Sequence, residues 1–141
     1  MPELIRKDTE YAMRALVYLA LNGKEKFVTA KALALHRNLP EDFAYKIMRK
    51  LTRSGITTCQ MGQHGGFKLA RSPDEITLLQ VLSAIQGPVL IKKCCLDSDT
   101  CPEKSSCEFL PQLKDLQSSL VTSLESITLA GILKQESSRK S

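Results

Sequence analysis

Apolar residues recur at helical spacing over residues 9–21, the first strongly patterned stretch of the chain. They occupy four positions, each one to four residues apart: Ala12, Leu16, Leu19 and Ala20. This spacing predicts a helix with one buried face. Asp8 precedes the stretch and is a candidate N-cap, and Gly23 follows it as a stop signal.

Two shorter helices are predicted next, separated by a tight turn. Thr29 is placed to cap a helix over residues 30–36, and a break at Pro40 leads to a helix over residues 41–54. The second of these helices carries four basic residues: Lys46, Arg49, Lys50 and Arg53. A short helix, a tight turn and a basic helix form the outline of a helix-turn-helix.

After Gly55 the pattern changes to two strand-like runs, residues 56–59 and 66–69, on either side of a glycine-rich tip. Such runs predict a β-hairpin. A hairpin directly after a recognition helix is the wing of a winged helix, and a tip of small residues lets the chain approach phosphates or the minor groove. The tip residues are Gln63, His64, Gly65 and Gly66.

The second half of the chain predicts two more helices. Residues 73–85 form one, with an apolar residue at every third position, and residues 111–133 form another. The second has a leucine-rich stripe that needs a partner, either a second copy of the chain or its own domain. The stripe consists of Leu113, Leu116, Leu120, Leu124 and Ile127.

These elements predict a mainly α fold with a small β-hairpin wing. Residues 1–87 are the winged helix-turn-helix domain, 88–110 a cysteine-containing loop, 111–133 a dimerisation helix, and 134–141 a disordered tail. The 141 residues suffice for one compact domain plus this extension.

The formal net charge of +5 is unevenly distributed. Residues 1–71 hold 13 Lys and Arg against 6 Asp and Glu, whereas residues 72–141 hold 7 against 9. A basic half favours binding to nucleic acid, although a solvated lysine-rich surface has the same composition. No apolar run approaches the roughly 20 residues of a membrane span, and residues 1–8 lack the apolar core of a signal peptide, so we expect a cytoplasmic protein.

Four of the five cysteines lie between residues 94 and 107. Because disulfides are rare in a reducing compartment, this grouping indicates a metal or redox-active thiols. Cys95, Cys101 and Cys107 are evenly spaced in a polar segment, and thiolates favour iron–sulfur clusters, zinc or cuprous ions. Zinc sites usually contain a C-x2-C pair, so the wider spacing favours a cluster. Cys59 is expected to be a small buried hydrophobe in the hairpin.

The order of these motifs resembles the Rrf-two (Rrf2) family of regulators, which includes the cluster-sensing repressors IscR and NsrR. The likeness covers most of the chain. It rests on YAMRAL (residues 11–16), LP (39–40), IMRKL (47–51), SGI (54–56), GQHGGF (62–67), ITL (76–78), VLSAI (81–85), the C-x5-C-x5-C segment and ITL (127–129).

This resemblance implies a homodimeric winged helix with an iron–sulfur cluster, 2Fe–2S or 4Fe–4S, near the dimer interface. In the family the ligand that is not cysteine is a histidine after the third cysteine or an acidic residue at the start of the first helix. Here Leu110, three residues after Cys107, cannot ligate. Matching YAMR places the acidic position on Glu10, with Asp8 as a nearby substitute. The alternative role of Glu10 is a carboxylate at a helix N-terminus, worth about 0.3 to 1 kcal/mol.

The predicted function is a transcription regulator, a repressor without enzymatic activity, that senses redox state, nitric oxide or iron–sulfur status. A dimer would place the two helices of residues 41–54 in successive major grooves about 34 Å apart, on a palindromic double-stranded operator. The residues predicted to contact DNA are Thr29, Glu41, Tyr45, Lys46, Arg49, Lys50, Gln63, His64, Gly65 and Gly66.

Two alternatives stay open at the level of the sequence. The same regulator could sense by thiol oxidation or through zinc, and the adjacent Cys94 and Cys95 would then be important. A small iron–sulfur electron-transfer protein is the other alternative, which the basic half and the wing disfavour.

Overall fold

The computed structural model of the chain describes residues 3–23, 26–92 and 108–140. These residues are mainly helical, with one antiparallel hairpin. The elements are α1 (Lys7–Asn22), α2 (Ala30–Arg37), α3 (Glu41–Arg53), β1 (Thr57–Gln60), β2 (Gly66–Leu69), α4 (Leu78–Gln86), α5 (Leu110–Ser126) and α6 (Leu129–Lys140). The order of elements up to α4 is that of the predicted winged helix-turn-helix.

Helix α1 begins earlier than its apolar pattern suggests. Its N-cap is Arg6, whose side chain makes no capping hydrogen bond. Asp8 therefore lies inside the first turn, where its carboxylate accepts a hydrogen bond from the backbone N–H of Thr9 at 2.9 Å. The identification of Asp8 as the N-cap was wrong, because the helix extends through polar positions that periodicity does not detect. The helix ends as expected at Gly23, whose N–H donates to the Leu19 carbonyl at 2.8 Å.

The helix-turn-helix forms as the sequence predicts. The Thr29 hydroxyl accepts a hydrogen bond from the Ala32 N–H at 3.0 Å and so caps α2. Asn38, with a φ of 57°, occupies the left-handed region and turns the chain towards α3. The core lies between α1, α2, α3 and α4, and its largest fully buried side chains include Leu16, Leu33 and Met48.

A backbone bridge joins the wing to the segment just before α2. Strands β1 and β2 pair antiparallel from Thr57 opposite Leu69 to Gln60 opposite Gly66. Val28, just before α2, exchanges two backbone hydrogen bonds of 2.8 Å with Phe67. Gly66 allows this approach, because its φ is 141° and a Cβ there would lie 2.6 Å from the Val28 carbonyl.

The predicted helix over residues 73–85 is interrupted. A single 3₁₀ turn, Pro73–Glu75, precedes an extended pair of residues, and α4 begins only at Leu78. The reason lies far away in the sequence: Thr77 forms an antiparallel bridge with Thr128, at the junction of α5 and α6. The prediction was wrong here because local periodicity does not reveal this long-range pairing.

The C-terminal region also differs from the prediction of one helix over residues 111–133 and a disordered tail. The same pairing with residue 77 breaks the helix at Ile127, and α6 continues as a helix to Lys140. Of the leucine stripe, Leu124 is buried, whereas Leu116 and Ile127 are exposed. Within the described ranges, no helix is long and apolar enough to cross a membrane.

Candidate nucleic-acid interface

Helix α3 separates an apolar face from a basic face. Its buried side chains are Ala44, Ile47, Met48 and Leu51. The spacing of these residues fixes the helix against the core and leaves the other side exposed. The exposed side carries Glu41, Tyr45, Lys46, Arg49, Lys50 and Arg53. The residues of α3 predicted to contact DNA therefore share the solvent-facing side of one helix.

The basic residues on this face differ in their partners. The Lys50 ammonium donates to the Ile85 carbonyl at 3.4 Å, at the last turn of α4. Carbonyls at a helix C-terminus are unsatisfied within the helix and attract cations, so Lys50 has a structural role beside any contact with DNA. Arg49 instead lies over an aromatic ring, with its guanidinium carbon 5.9 Å from the centroid of Tyr45.

A groove runs between α3 and the wing. It is lined by Tyr45, Arg49, Thr52, Arg53, Cys59, Met61 and Phe67. Cys59 is exposed in this groove and not buried as its sequence context suggested. The expectation was wrong because the side chain lies on the solvent face of the hairpin, which no other element among the described residues covers.

A second groove lies on the other flank of α3, against the start of α1. Its lining is Asp8, Phe43, Lys46, Ile47, Arg49, Lys50 and Arg53. Arg53 lines both grooves but was missing from the residues predicted to contact DNA. Its position four residues after Arg49 is the signal that could have included it.

The wing tip faces the start of α2. A depression between them is lined by Lys26, Phe27, Thr29, Gln63, His64 and Gly65. Gln63 and His64 are exposed there, and Thr29 is exposed although its hydroxyl caps α2. The depression therefore brings Thr29 and both polar residues of the tip to one surface, as a contact with a phosphate backbone requires.

The two glycines of the tip have structural reasons for their presence. Gly65 is buried, and a Cβ there would clash with the Gln60 carbonyl. Gly66 packs against the backbone of Val28. Both glycines thus fix the shape of the tip, and their contact with DNA stays a prediction.

The candidate metal ligand Glu10 is half-exposed in the first turns of α1. Its carboxylate accepts from the Arg14 guanidinium at 2.7 Å and lies 3.5 Å from the Lys7 ammonium. Asp8 pairs with Arg6 at 3.2 Å. Ion pairs at the surface contribute only about 0 to 1 kcal/mol, so these cations do not prevent Glu10 from binding another group.

The other predicted ligands, Cys95, Cys101 and Cys107, lie outside the described residues, as does Cys94. Among the residues that are described, no group of three or more His, Cys, Asp and Glu side chains is arranged to hold a metal ion.

Both flanks of the cysteine segment are fixed to α5. The Gln117 amide accepts from the Ile91 N–H at 2.8 Å and donates to the Val89 carbonyl at 2.7 Å. On the other side, the chain enters α5 at Leu110. The two anchor points on the helix, Leu110 and Gln117, lie about 10 Å apart along its axis, at about 1.5 Å per residue.

The start of α1 is held beside the end of α4. The side-chain Oε1 of Gln86 accepts from the Arg6 N–H at 2.9 Å and from the Thr9 hydroxyl at 2.6 Å. Glu10 follows Thr9 directly, and the cysteine segment leaves the domain after Gln86. The carboxylate candidate and the origin of the cysteine segment are therefore neighbours in the fold.

Known proteins that are similar to this chain in sequence are transcriptional regulators. A family model described as Rrf2, an iron-dependent transcriptional regulator, matches residues 5–135. Over 129 residues the chain is 28% identical to the HTH-type transcriptional regulator NsrR of Halalkalibacterium halodurans, covering 91% of this chain and 88% of that protein.

Two solved structures share the fold. CymR, the global cysteine regulator of B. subtilis, has a TM-score of 0.75 at 20% identity, over 96% of this chain and 98% of that chain. IscR of T. potens has a TM-score of 0.71 at 23% identity, over 94% of this chain and 87% of that chain. These likenesses confirm the predicted winged-helix fold.

Proposed function

Because the chain belongs to the Rrf2 family of helix-turn-helix transcriptional regulators, we propose that it is a homodimeric repressor that binds a palindromic operator and senses redox state, nitric oxide or iron–sulfur status. Family membership itself makes it a DNA-binding regulator and not an enzyme. The observation that carries the proposal is the surface around the wing, whose strands adjoin the basic face of α3 and whose tip adjoins the start of α2.

This surface suits a duplex in both shape and charge. An α-helix fits the major groove, and the exposed Lys46, Arg49 and Arg53 supply phosphate contacts or readout of guanine. Gln63 and His64 at the tip then face the adjacent backbone or minor groove. In a twofold dimer the two α3 helices lie about 34 Å apart, which requires an operator with twofold symmetry.

Exposed apolar side chains on α5 and at its N-cap favour a dimer. Leu116 within the helix is 56% exposed and Phe109, the N-cap residue, is 66% exposed, although both are large apolar side chains. A second copy of the same helix would remove them from water, which is the main favourable term in association.

The cofactor in this proposal is an iron–sulfur cluster, 2Fe–2S or 4Fe–4S, held by Cys95, Cys101, Cys107 and Glu10. The donor set fits: thiolates are the usual ligands of such clusters, and Glu10 is accessible and, among the described residues, pairs with Lys7 and Arg14 at the surface. When bound, a cluster supplies an iron centre that reacts with oxidants or nitric oxide. A carboxylate is a harder donor than a thiolate and binds such iron less firmly, which suits a site meant to respond.

Coupling to DNA binding would pass through residues that the structure describes. Gln86 joins the start of α1 to the end of α4, and Lys50 of α3 donates to the last turn of the same helix. A displacement of the first turns of α1 would thus reach the recognition helix through two hydrogen bonds, and two dimer states with different DNA affinity are what regulation requires.

The second candidate keeps the regulator but replaces the cluster with thiol oxidation or zinc. The similar fold of B. subtilis CymR, a cysteine regulator, is the observation that favours it. In this case Cys94 and Cys95 would carry the response.

One preparation decides between the two. The chain is purified without oxygen, its iron and sulfide are quantified, and its spectrum is recorded. The cluster proposal expects both elements together with absorbance between about 320 and 450 nm. Zinc alone, or neither iron nor sulfide after iron-replete growth, would overturn it.

The variant Glu10→Ala tests the fourth ligand in the same preparation. We expect a lower iron content and an altered spectrum, because one of four donors is lost. Glu75→Ala is the control, because it removes an exposed carboxylate from the 3₁₀ turn before α4 that is not a candidate ligand. Equal iron and sulfide in the two variants and the wild-type protein would remove Glu10 from the ligand set.

A further inference from the structure

Tyr45 of α3 lines the groove between this helix and the wing. We infer that it positions the Arg49 guanidinium for base readout and so determines part of the sequence specificity. The inference rests on the proposed binding to an operator. It concerns a residue that acts on DNA through another residue.

The ring of Tyr45 is held from the protein side. It meets the ring of Phe67 edge-on, with centroids 6.3 Å apart and an interplanar angle of 71°. Phe67 is only 4% exposed, and both of its backbone polar groups bond to Val28. The tyrosine thus packs on a fixed part of the wing.

Arg49 lies over the same ring. Its guanidinium carbon lies 5.9 Å from the ring centroid, and both residues are exposed. Among the described residues, the other basic side chains of α3 have no such aromatic partner: Lys46, Lys50 and Arg53. Arg49 is therefore the basic side chain of this face that an aromatic ring orients.

The orientation of the guanidinium matters more for reading a base than for attracting a phosphate. Bidentate bonding of a guanidinium to O6 and N7 of guanine requires a defined plane, whereas a phosphate accepts a charge from many directions. An aromatic face favours a subset of arginine rotamers, so less conformational entropy is lost on binding. Loss of the ring should consequently reduce discrimination between bases more than general affinity for DNA.

The test uses the full chain and an operator selected by the wild-type protein from random duplex DNA. Affinities are measured for this operator and for each of its single-base-pair variants. We expect Tyr45→Leu to weaken operator binding about fivefold and to change affinity for unrelated duplex DNA less than about twofold. Discrimination should fall at the same base pair as in Arg49→Ala, and Tyr45→Leu should add little in an Arg49→Ala background.

Two variants separate the ring from other effects. Tyr45→Phe keeps the ring and should behave as the wild type, whereas Tyr45→Gln, a good helix former, should behave as Tyr45→Leu. Phe43→Leu alters an aromatic residue on the other flank of α3 and should not affect the base pair that Arg49 reads.

Three results would overturn the inference. They are independent, additive effects of Tyr45→Leu and Arg49→Ala, a loss at a different base pair, and a Tyr45→Phe variant as impaired as Tyr45→Leu. The last two would indicate that Tyr45 contacts DNA itself. If the wild-type chain selects no sequence at all, the proposed function fails first.

Discussion

At the scale of single residues, Gln86 joins the end of α4 to the start of the chain's first helix. Its amide accepts from the backbone of Arg6 and the hydroxyl of Thr9, and it donates to the Leu4 carbonyl at 2.8 Å. Thr9 is fully buried, so its hydroxyl cannot bond to water and depends on the Gln86 side chain as its hydrogen-bond partner. The first turn of α1, where Glu10 stands, is thereby positioned by a residue near the cysteine segment.

We expect Gln86→Ala to lower the free energy of unfolding by about 1 to 3 kcal/mol, because the buried Thr9 hydroxyl loses its partner. Unfolding in urea measures this change. Gln112→Ala, at an exposed position of α5, is the matched control. Its free energy of unfolding should stay within about 0.5 kcal/mol of the wild-type value. Equal midpoints for the two variants would show that the Gln86 contacts contribute nothing to stability.

At the scale of elements, the two Ile-Thr-Leu segments determine where three helices begin and end. Residues 76–78 and 127–129 pair antiparallel, with 2.8 Å hydrogen bonds from the Leu78 N–H to the Ile127 carbonyl and from the Leu129 N–H to the Ile76 carbonyl. Thr77 then caps α4 in a capping box with Gln80. The repeated motif therefore joins the DNA-binding domain to the α5–α6 junction.

Thr77→Ala should destabilise the chain by about 1 kcal/mol, the usual cost of losing a helix cap. Thr122→Ala, at an exposed position within α5, is the control, and alanine there should be neutral or slightly stabilising because of its helix propensity. Thermal unfolding followed by circular dichroism compares the two variants. A lower melting temperature for the Thr122 variant than for the Thr77 variant would contradict the role assigned to the cap.

At the scale of the whole molecule, the apolar side chains exposed on α5 indicate where a second copy of the chain would bind. Leu110 and Leu124 pack on the chain's own domain, whereas Leu116, six residues after the first and eight before the second, is exposed. The stripe is thus divided between the internal core and a surface suited to a partner, and the sequence alone left both readings open.

We expect Leu116→Glu to convert the dimer to a monomer at micromolar concentration, because a carboxylate would be buried without a partner at the interface. Leu35→Glu, at a residue that is 77% exposed on α2, is the control and should remain dimeric. Sedimentation velocity gives the mass of each variant. A monomeric wild type, or a dimeric Leu116 variant, would place the interface elsewhere or exclude it.

Local signals sufficed for several parts of the fold and of the candidate interface. The Thr29 cap, the Asn38 turn and the hairpin all depend on residues within a few positions of one another. The basic face of α3 was predictable for the same reason. Cys59 was misplaced, because its burial depends on whether another layer covers the hairpin.

The sequence by itself determined the helix-turn-helix, the wing, the basic face of α3 and the family, because these follow from periodicity, caps and motif order over short distances. Only the tertiary structure decided that residues 76–78 pair with 127–129, that Gln86 holds the first turn of α1, and that Tyr45 lies between Arg49 and Phe67. Each of these contacts depends on how the helices and the wing pack against one another. Local periodicity in the sequence does not determine that packing.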